Sequence, residues 1–400
     1  MKNLIKIRNL HLAGLQRIVA VSLIIGLFVA SCEDQYVPQL DSKYDNVLVV
    51  DGMITNAQPP YTVKLSLSAN VQWPEYIALS GYGVTILDNL GNVEVLSESE
   101  PGVYITSPNG IRGIVGRKYK ITLQSPDGKT YGSEYEELKD PVGIQSVYAE
   151  LEYKQSNSEP MEVPGYQFYV DTYTAETDSA YILWSMDETF KYESDYLIHY
   201  LYDGVLHVFR NSDSLKTCWK SEKVYPFFVE STSGLSEPRF TRYPLHFVST
   251  KTRELSIRYS LFINQYTINE NAYRFWHGIK EQNTGSGELY ARLPYQLRGN
   301  IYNTNDKNEL VLGFFMVAGV SQKRIFVNRP DPPVKMYYPV CKLGITDYED
   351  YKWMFLGGSP ADWPLYVTED AGGARALPNQ ECINCTLSGG TLEKPDFWED

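Results

Sequence analysis

The chain has 400 residues, with 36 Lys plus Arg against 49 Asp plus Glu and a formal net charge of −13. An acidic excess of that size repels phosphate backbones and anionic headgroups, which argues against a nucleic-acid partner. The 43% hydrophobic content is enough for real cores, and 32 Tyr favour pleated strands and half-wet surfaces, because the ring is apolar and its tip polar.

The chain opens on a basic lead, Lys2, Lys6, Arg8 and Arg17, followed by an apolar block of 13 residues from Ile18 to Ala30. That length suits the apolar core of a secretion signal and is too short to cross a bilayer comfortably, so an uncleaved membrane helix is the weaker alternative. The block ends in Val29-Ala30-Ser31-Cys32, which resembles the bacterial lipobox: small residues admit a peptidase, and the Cys32 thiol is alkylated by a diacylglycerol. Residues 1–31 are therefore expected to be removed, leaving a lipid anchor on Cys32 and a tether over 32–45. Each buried methylene of such an anchor contributes about 0.8 kcal/mol, so several acyl chains attach a protein to membrane without a spanning helix. Loss of the four basic residues takes the formal charge from −13 to −17.

From 46 to about 140, short strands alternate with turn signals. Thr62-Val63-Lys64-Leu65-Ser66-Leu67-Ser68 alternates polar and apolar, as a strand with one buried face should. Val84-Thr85-Ile86-Leu87 runs into Asp88-Asn89-Leu90-Gly91, and Tyr119-Lys120-Ile121-Thr122-Leu123 runs into Ser125-Pro126-Asp127-Gly128. This spacing predicts an antiparallel β-sandwich, and the stretch from Gly83 to Tyr119 resembles immunoglobulin-like or prealbumin-like accessory domains. The roughly 370 residues after Ser31 exceed what one core usually serves, so a second, larger β-rich domain is expected over 141–400, with a boundary near Asp140-Pro141.

In that second part Gln167 to Val170, Tyr181 to Trp184, Leu255 to Tyr259 and Leu310 to Ala318 read as strands, the last uniformly apolar and therefore central. Asp203-Gly204 predicts a two-residue hairpin turn, which would pair Tyr202 with Val205, Tyr200 with His207 and His199 with Val208. Both faces of that hairpin are largely apolar, so it is either sandwiched inside the domain or a projection held by a partner. Thr267-Ile268-Asn269-Glu270 fits a capping box, with Ile268, Ala272, Phe275, Trp276 and Ile279 at helical spacing, which predicts a helix near 268–283 with a core-facing aromatic stripe.

Four cysteines remain besides Cys32: Cys218, Cys341, Cys382 and Cys385. An even count outside the cytoplasm points to two disulfides, and a bond between Cys382 and Cys385 would close a tight ring, so each is expected to reach back to Cys218 or Cys341. A four-thiolate zinc site is the alternative and needs reduced thiols.

Signatures of catalysis are missing: there is no nucleophile elbow, zinc-protease helix or phosphate-binding glycine loop, and no metal or cofactor is predicted. In the hairpin register above His199 and His207 face opposite ways. The adjacent pairs Asp187-Glu188 and Glu136-Glu137 read as solvated charge, because neighbours in a strand point apart and cannot converge on one sugar. Asn303, Asn305, Asp306 and Asn308 form an oxygen-rich loop that lacks the glycine and closing Glu of a calcium site, so a plain turn is expected. The best candidate contacts for a ligand or partner are Tyr200, Tyr202 and His207 on the hairpin.

Val49-Val50-Asp51-Gly52-Met53-Ile54 with Pro60 to Ser66, then Gln265 to Trp276, Gly299-Asn300-Ile301, Cys382-Ile383-Asn384-Cys385-Thr386 and Lys394 to Trp398 resemble the surface lipoproteins of Bacteroidota that contain domain of unknown function 4249. Asn384 stands where the family commonly has Asp. Glu33-Asp34 after the lipobox is similar to the acidic signal that sorts such lipoproteins to the exterior face of the outer membrane. The resemblance implies an outer-membrane protein working beside a TonB-dependent transporter as a ligand-capturing or lid subunit, with a sugar or peptide as ligand and no bond chemistry of its own. A surface hydrolase with an acidic site assembled only by the fold, and a structural or adhesive lipoprotein, are the alternatives.

Overall fold

The computed structural model describes residues 46–400 apart from 69–75, 157–158, 174–178, 286–296 and 344–359. The expected leader, Cys32 and the tether lie outside the described residues. Strands take about half of the described residues and helical turns far fewer, so the protein is mainly β, as the alternating segments predict.

The first half contains β1 (Leu48–Thr55), β2 (Thr62–Leu67), β3 (Ile77–Ala78), β4 (Gly83–Asp88), β5 (Val93–Val95), β6 (Ser97–Glu100), β7 (Val103–Ile105), β8 (Lys118–Gln124), β9 (Thr130–Ser133) and β10 (Glu136–Glu137). The second half adds β11 (Gly143–Ser156), β12 (Glu159–Tyr173), β13 (Tyr181–Glu193), β14 (Tyr200–Tyr202), β15 (Leu206–Val208), β16 (Thr217–Ser231), β17 (Tyr243–Ser249) and β18 (Arg258–Ile268). Helix α1 (Glu270–Gly285) follows, then β19 (Ile301–Asn303), β20 (Leu312–Asn328), β21 (Leu365–Glu369) and β22 (Arg375–Ala376).

In the first half two sheets close on one core. Val50, Val63 and Leu65 of β1 and β2 meet Val84, Ile86, Ile121 and Leu123 of β4 and β8, all fully buried. The period-2 alternation of β4 and β8 puts every second side chain into this core, and the intervening residues stay at least partly exposed.

In the second half β13 and β18 are buried on both faces. Their even-numbered and odd-numbered residues, such as Trp184 and Met186 with Leu261 and Ile263, pack beneath the sheet β11-β12-β17. On the other face Leu183, Tyr266 and Ile268 pack with Ala272 and Phe275 of α1. Trp184 is fully buried, and its indole N–H donates to Gln265 Oε1 at 2.8 Å, while Gln265 Nε2 donates to the Val142 carbonyl at 2.8 Å. This relay ties β13, β18 and the segment after β10 together with no polar atom wasted. The aromatic stripe of α1 is core, as expected, with Trp276 and Ile279 partly buried against the same cluster.

The expected boundary near Asp140-Pro141 is where one core gives way to the next, and it is not a break in backbone pairing. β20 returns from the second half and pairs parallel with β1, from Val49 opposite Leu312 to Thr55 opposite Ala318. A single sheet therefore runs β16-β13-β18-β20-β1-β2-β7-β6, and β19 joins β9 of the facing sheet. Phe315 and Val317 of β20 enter the first core, while Phe314, Met316 and Ala318 enter the α1 core, which is why its sequence is apolar without alternation.

Several local expectations shift. Thr267 is not a helix cap: β18 runs to Ile268, and Thr267 Oγ1 accepts the Val142 N–H at 2.7 Å. The hydroxyl is spent on a strand-to-segment bond, so α1 starts at Glu270, with the Asn269 carbonyl accepting from Tyr273. Leu255 belongs to a 3-10 turn and β18 begins only at Arg258. In the hairpin, Tyr200 pairs with Val208, Leu201 with His207 and Tyr202 with Leu206, one residue away from the expected register. The loop is three residues long because Gly204 alone takes a positive φ (107°), whereas the two-residue turn needs Asp203 there as well. The slip moves His207 to the face opposite Tyr200 and Tyr202, and puts His199 and His207 on the same face. The hairpin is neither sandwiched nor bare, since β21 adds a third strand with Val367 opposite Tyr200.

No helix among the described residues is long and apolar enough to cross a membrane.

Candidate functional site

Disulfides join Cys218 to Cys385 and Cys341 to Cys382, with Cα separations of 5.8 and 6.0 Å. This is one of the two pairings in which both late cysteines reach back. All four sulfurs are thereby used, so the zinc alternative has no thiolates here. Asp195 does come within 4.8 Å of the Cys341 and Cys382 sulfurs, but its carboxylate already accepts from the Cys341 N–H at 2.8 Å and pairs with Arg253 at 2.5 Å.

The hairpin aromatics are largely occupied by the protein itself. The Tyr200 hydroxyl donates to Glu369 at 2.6 Å and Arg375 lies over its ring at 4.8 Å. Tyr202 meets Trp363 edge-on at 5.5 Å, and both tyrosines pack on the buried Val367. His207 is exposed and its ring nitrogen lies 3.2 Å from Asp203. The three residues therefore do not form one face for a ligand. The Asn303 loop is a plain turn, as expected, with Asn303 Oδ1 accepting from the Asn305 and Asp306 N–H groups at 2.8 and 3.2 Å.

Both adjacent acid pairs depart from the expectation of solvated charge. Because strand neighbours point apart, one member of each is turned inward. Glu188 accepts from the buried Tyr259 hydroxyl at 2.7 Å, with His246 3.6 Å from the same oxygen. Close by, Glu254 Oε2 is buried without a hydrogen-bond partner. Burial, with repulsion from Glu188 and Glu222, pushes the Glu254 carboxyl up to about 7 despite its backbone N–H and His246. The folded chain holds this proton more tightly than the unfolded chain, so stability falls as pH rises from the ordinary 4.5 through about 7. Glu254→Gln is expected to stabilise the protein by about 2 kcal/mol at pH 8, discounted for partial exposure, and to have almost no effect at about pH 4. Urea midpoints at the two pH values would check it, and an equal effect at both would contradict it.

The second inward acid, Glu136, stands in a cavity of about 550 Å³ between the β9–β10 segment, α1 and the strand pair β19 and β20. Glu136 is 8% exposed. Its neighbour Glu137 points out, 3.9 Å from Lys139. Three carboxamides surround the Glu136 carboxylate: Asn269, whose Nδ2 is 3.4 Å from Oε2, Asn300 and Asn271. Burial raises the Glu136 pKa above the usual carboxylate range, and these asparagines only partly offset it. Phe275, Leu297, Val311 and Phe314 make apolar walls.

The other acids of the lining are neutralised from within. Glu134 accepts from the Tyr302 hydroxyl at 2.7 Å. Glu309 pairs with Lys129 at 3.1 Å and accepts from Tyr131 at 2.9 Å and from Asn303, and these contacts outweigh its burial and hold its pKa below the ordinary value. No His, Ser, Thr or Cys lines the cavity among the described residues. The arrangement can bind and can exchange one proton.

Asn300 is the key to its shape. Its side-chain amide donates to the Phe315 carbonyl at 2.8 Å and accepts from the Phe315 N–H at 2.9 Å, standing in for a strand neighbour of β20. Gly299 makes this possible, because a Cβ there would lie 1.4 Å from the Gly313 carbonyl oxygen.

A family model described as Domain of unknown function (DUF4249) matches residues 33–324. The chain belongs to that family. The match spans the Glu136 cavity of this DUF4249 protein, including Asn269, Asn271 and Asn300, and stops before the closing Cys382, Cys385 and Trp398 motif, which carried part of the resemblance. No curated protein matches the chain.

None of the cavity residues was a binding candidate from the sequence. Glu136 looked like half of a solvated pair, Asn269 and Asn271 lay within or beside a presumed cap, and Gly299-Asn300 stood out only as a family motif. A glycine followed by a carboxamide, ahead of an apolar strand, is the one local signal of a close backbone approach.

Proposed function

We propose that this protein is a lipid-anchored lipoprotein on the exterior face of the outer membrane that captures ligand for, or lids, a TonB-dependent nutrient transporter, without bond chemistry of its own. The observation that carries the binding part is the Glu136 cavity: apolar walls and one buried carboxylate with carboxamide neighbours. The two disulfides support an oxidising compartment. The lipobox-like Val29 to Cys32 supports the anchor, and the Bacteroidota setting and the transporter rest on the family resemblance.

Extraction in mild detergent after labelling with a fatty-acid probe tests the whole reading. The expected result is a labelled protein that co-purifies with a barrel protein, and a Cys32→Ala form that is unlabelled and released from the envelope. An unlabelled wild type, or a Cys32→Ala form equally firmly held, would remove the anchor. A labelled protein recovered alone would remove the transporter role.

A further inference from the structure

We infer that the Glu136 cavity is a receptor for an ammonium group carried on an apolar body, specifically the N-terminal end of a short peptide. This deepens the ligand-capture reading and rests on it for the choice of cavity.

The argument starts from a missing cation. Glu136 is 8% exposed, and no Lys, Arg or His forms an ion pair with it among the described residues; its polar partners are the neutral Asn269, Asn271 and Asn300. A buried carboxylate is costly unless a cation accompanies it, and carboxamides compensate only in part. Every other acid in the lining is already satisfied by a Lys, a Tyr or an Asn. The cavity is therefore built with one vacant electrostatic demand, for a positive hydrogen-bond donor.

The walls define what the cation is attached to. Phe275, Leu297, Val311 and Phe314 would cover an aliphatic or aromatic side chain. The rim carries the opposite charge from the floor: of the lining cations Arg274 is engaged by Glu270 at 2.5 Å, whereas the exposed Arg298 and Lys307 pair with no carboxylate among the described residues, Lys307 lying 5.5 Å over the Tyr302 ring. An ammonium at the floor, an apolar residue between the walls and a carboxylate toward the rim is the charge order of a short peptide. A cavity of about 550 Å³ has room for two residues. A neutral sugar matches neither the lone acid nor the cationic rim.

Calorimetry on the full chain in detergent, without any transporter, tests the inference with leucyl-leucine, N-acetyl-leucyl-leucine and maltose as probes. The expected result is binding of leucyl-leucine, with about 30-fold or greater weakening on N-acetylation and a similar loss in Glu136→Gln, which keeps the shape and removes the charge. Affinity should rise with pH as Glu136 ionises and fall again as the peptide amine loses its proton near about pH 8. Equal binding of the acetylated peptide, preference for maltose, or no binding of leucyl-leucine would each overturn the inference. The comparison of probes on the wild type holds even if Glu136→Gln folds poorly. Because no anchor or partner enters the measurement, failure here leaves the labelling and co-purification results standing, and failure there leaves this one standing.

Discussion

Replacement of Cys218 and Cys385 by serine is expected to lower the folding stability by about 5 kcal/mol. The bond closes a separation of 167 residues, against 41 for Cys341–Cys382, and in the chain-entropy picture the longer loop removes more freedom from the unfolded chain. Removal of the shorter bridge should cost about 4 kcal/mol by the same relation. Domains commonly retain only about 5–15 kcal/mol in total, so the first loss takes a large share.

The Cys218–Cys385 bond also seats the closing segment. The Tyr192 hydroxyl donates to the Cys385 carbonyl at 2.5 Å, Thr391 bridges to Trp219, and Trp398 packs 5.4 Å from Phe326. In the double-serine form tryptophan fluorescence should report release of Trp398 at lower urea than the collapse of the sheets. Superimposable unfolding curves for the oxidised wild type and the double-serine form would refute the prediction.

Gly313→Ala is expected to cost about 4 kcal/mol or more, in the range reserved for a broken structural feature. Gly313 sits in the β1–β20 seam opposite Val50 with φ at +86°, and a Cβ there would lie 1.9 Å from the Val50 carbonyl oxygen. Strain at positive φ alone accounts for about 1 kcal/mol. The remainder comes from parting the parallel ladder that joins the two halves, where neither side of the clash is a flexible side chain. The same shift would dislodge Gly299 and Asn300, so peptide binding in the cavity should weaken along with stability. Gly91→Ala is the internal control: its φ is +91° but nothing lies within 4 Å of the added carbon, so its cost should stay near about 1 kcal/mol. If the two variants melted at the same temperature, the seam would not be the constraint described.

These effects divide along the line between local and distant information. The strands β2, β4 and β8 were legible because a period of two is written in consecutive residues, and the apolar run before Ala318 announced a strand buried on both sides. The helix was legible from Ala272, Phe275 and Trp276, but not its first turn, since Thr267 looks the same whether its hydroxyl caps a helix or receives the Val142 amide. The hairpin register turned on one backbone angle at Asp203 that residue type does not specify.

The sequence by itself determined that the chain is strand-rich and acidic, that its late cysteines reach back, and that one amphipathic helix packs an aromatic stripe inward; each of these follows from composition or from spacing over a few residues. Only the tertiary structure decided which cysteines pair, that β20 crosses back to complete the sheet of β1, and that Glu136, Asn269, Asn271 and Asn300 meet around one cavity. Those contacts join segments distant in the chain, 41 residues apart for Cys341–Cys382 and 167 for Cys218–Cys385, and their partners are selected by the competition of whole faces for burial, which no local pattern records.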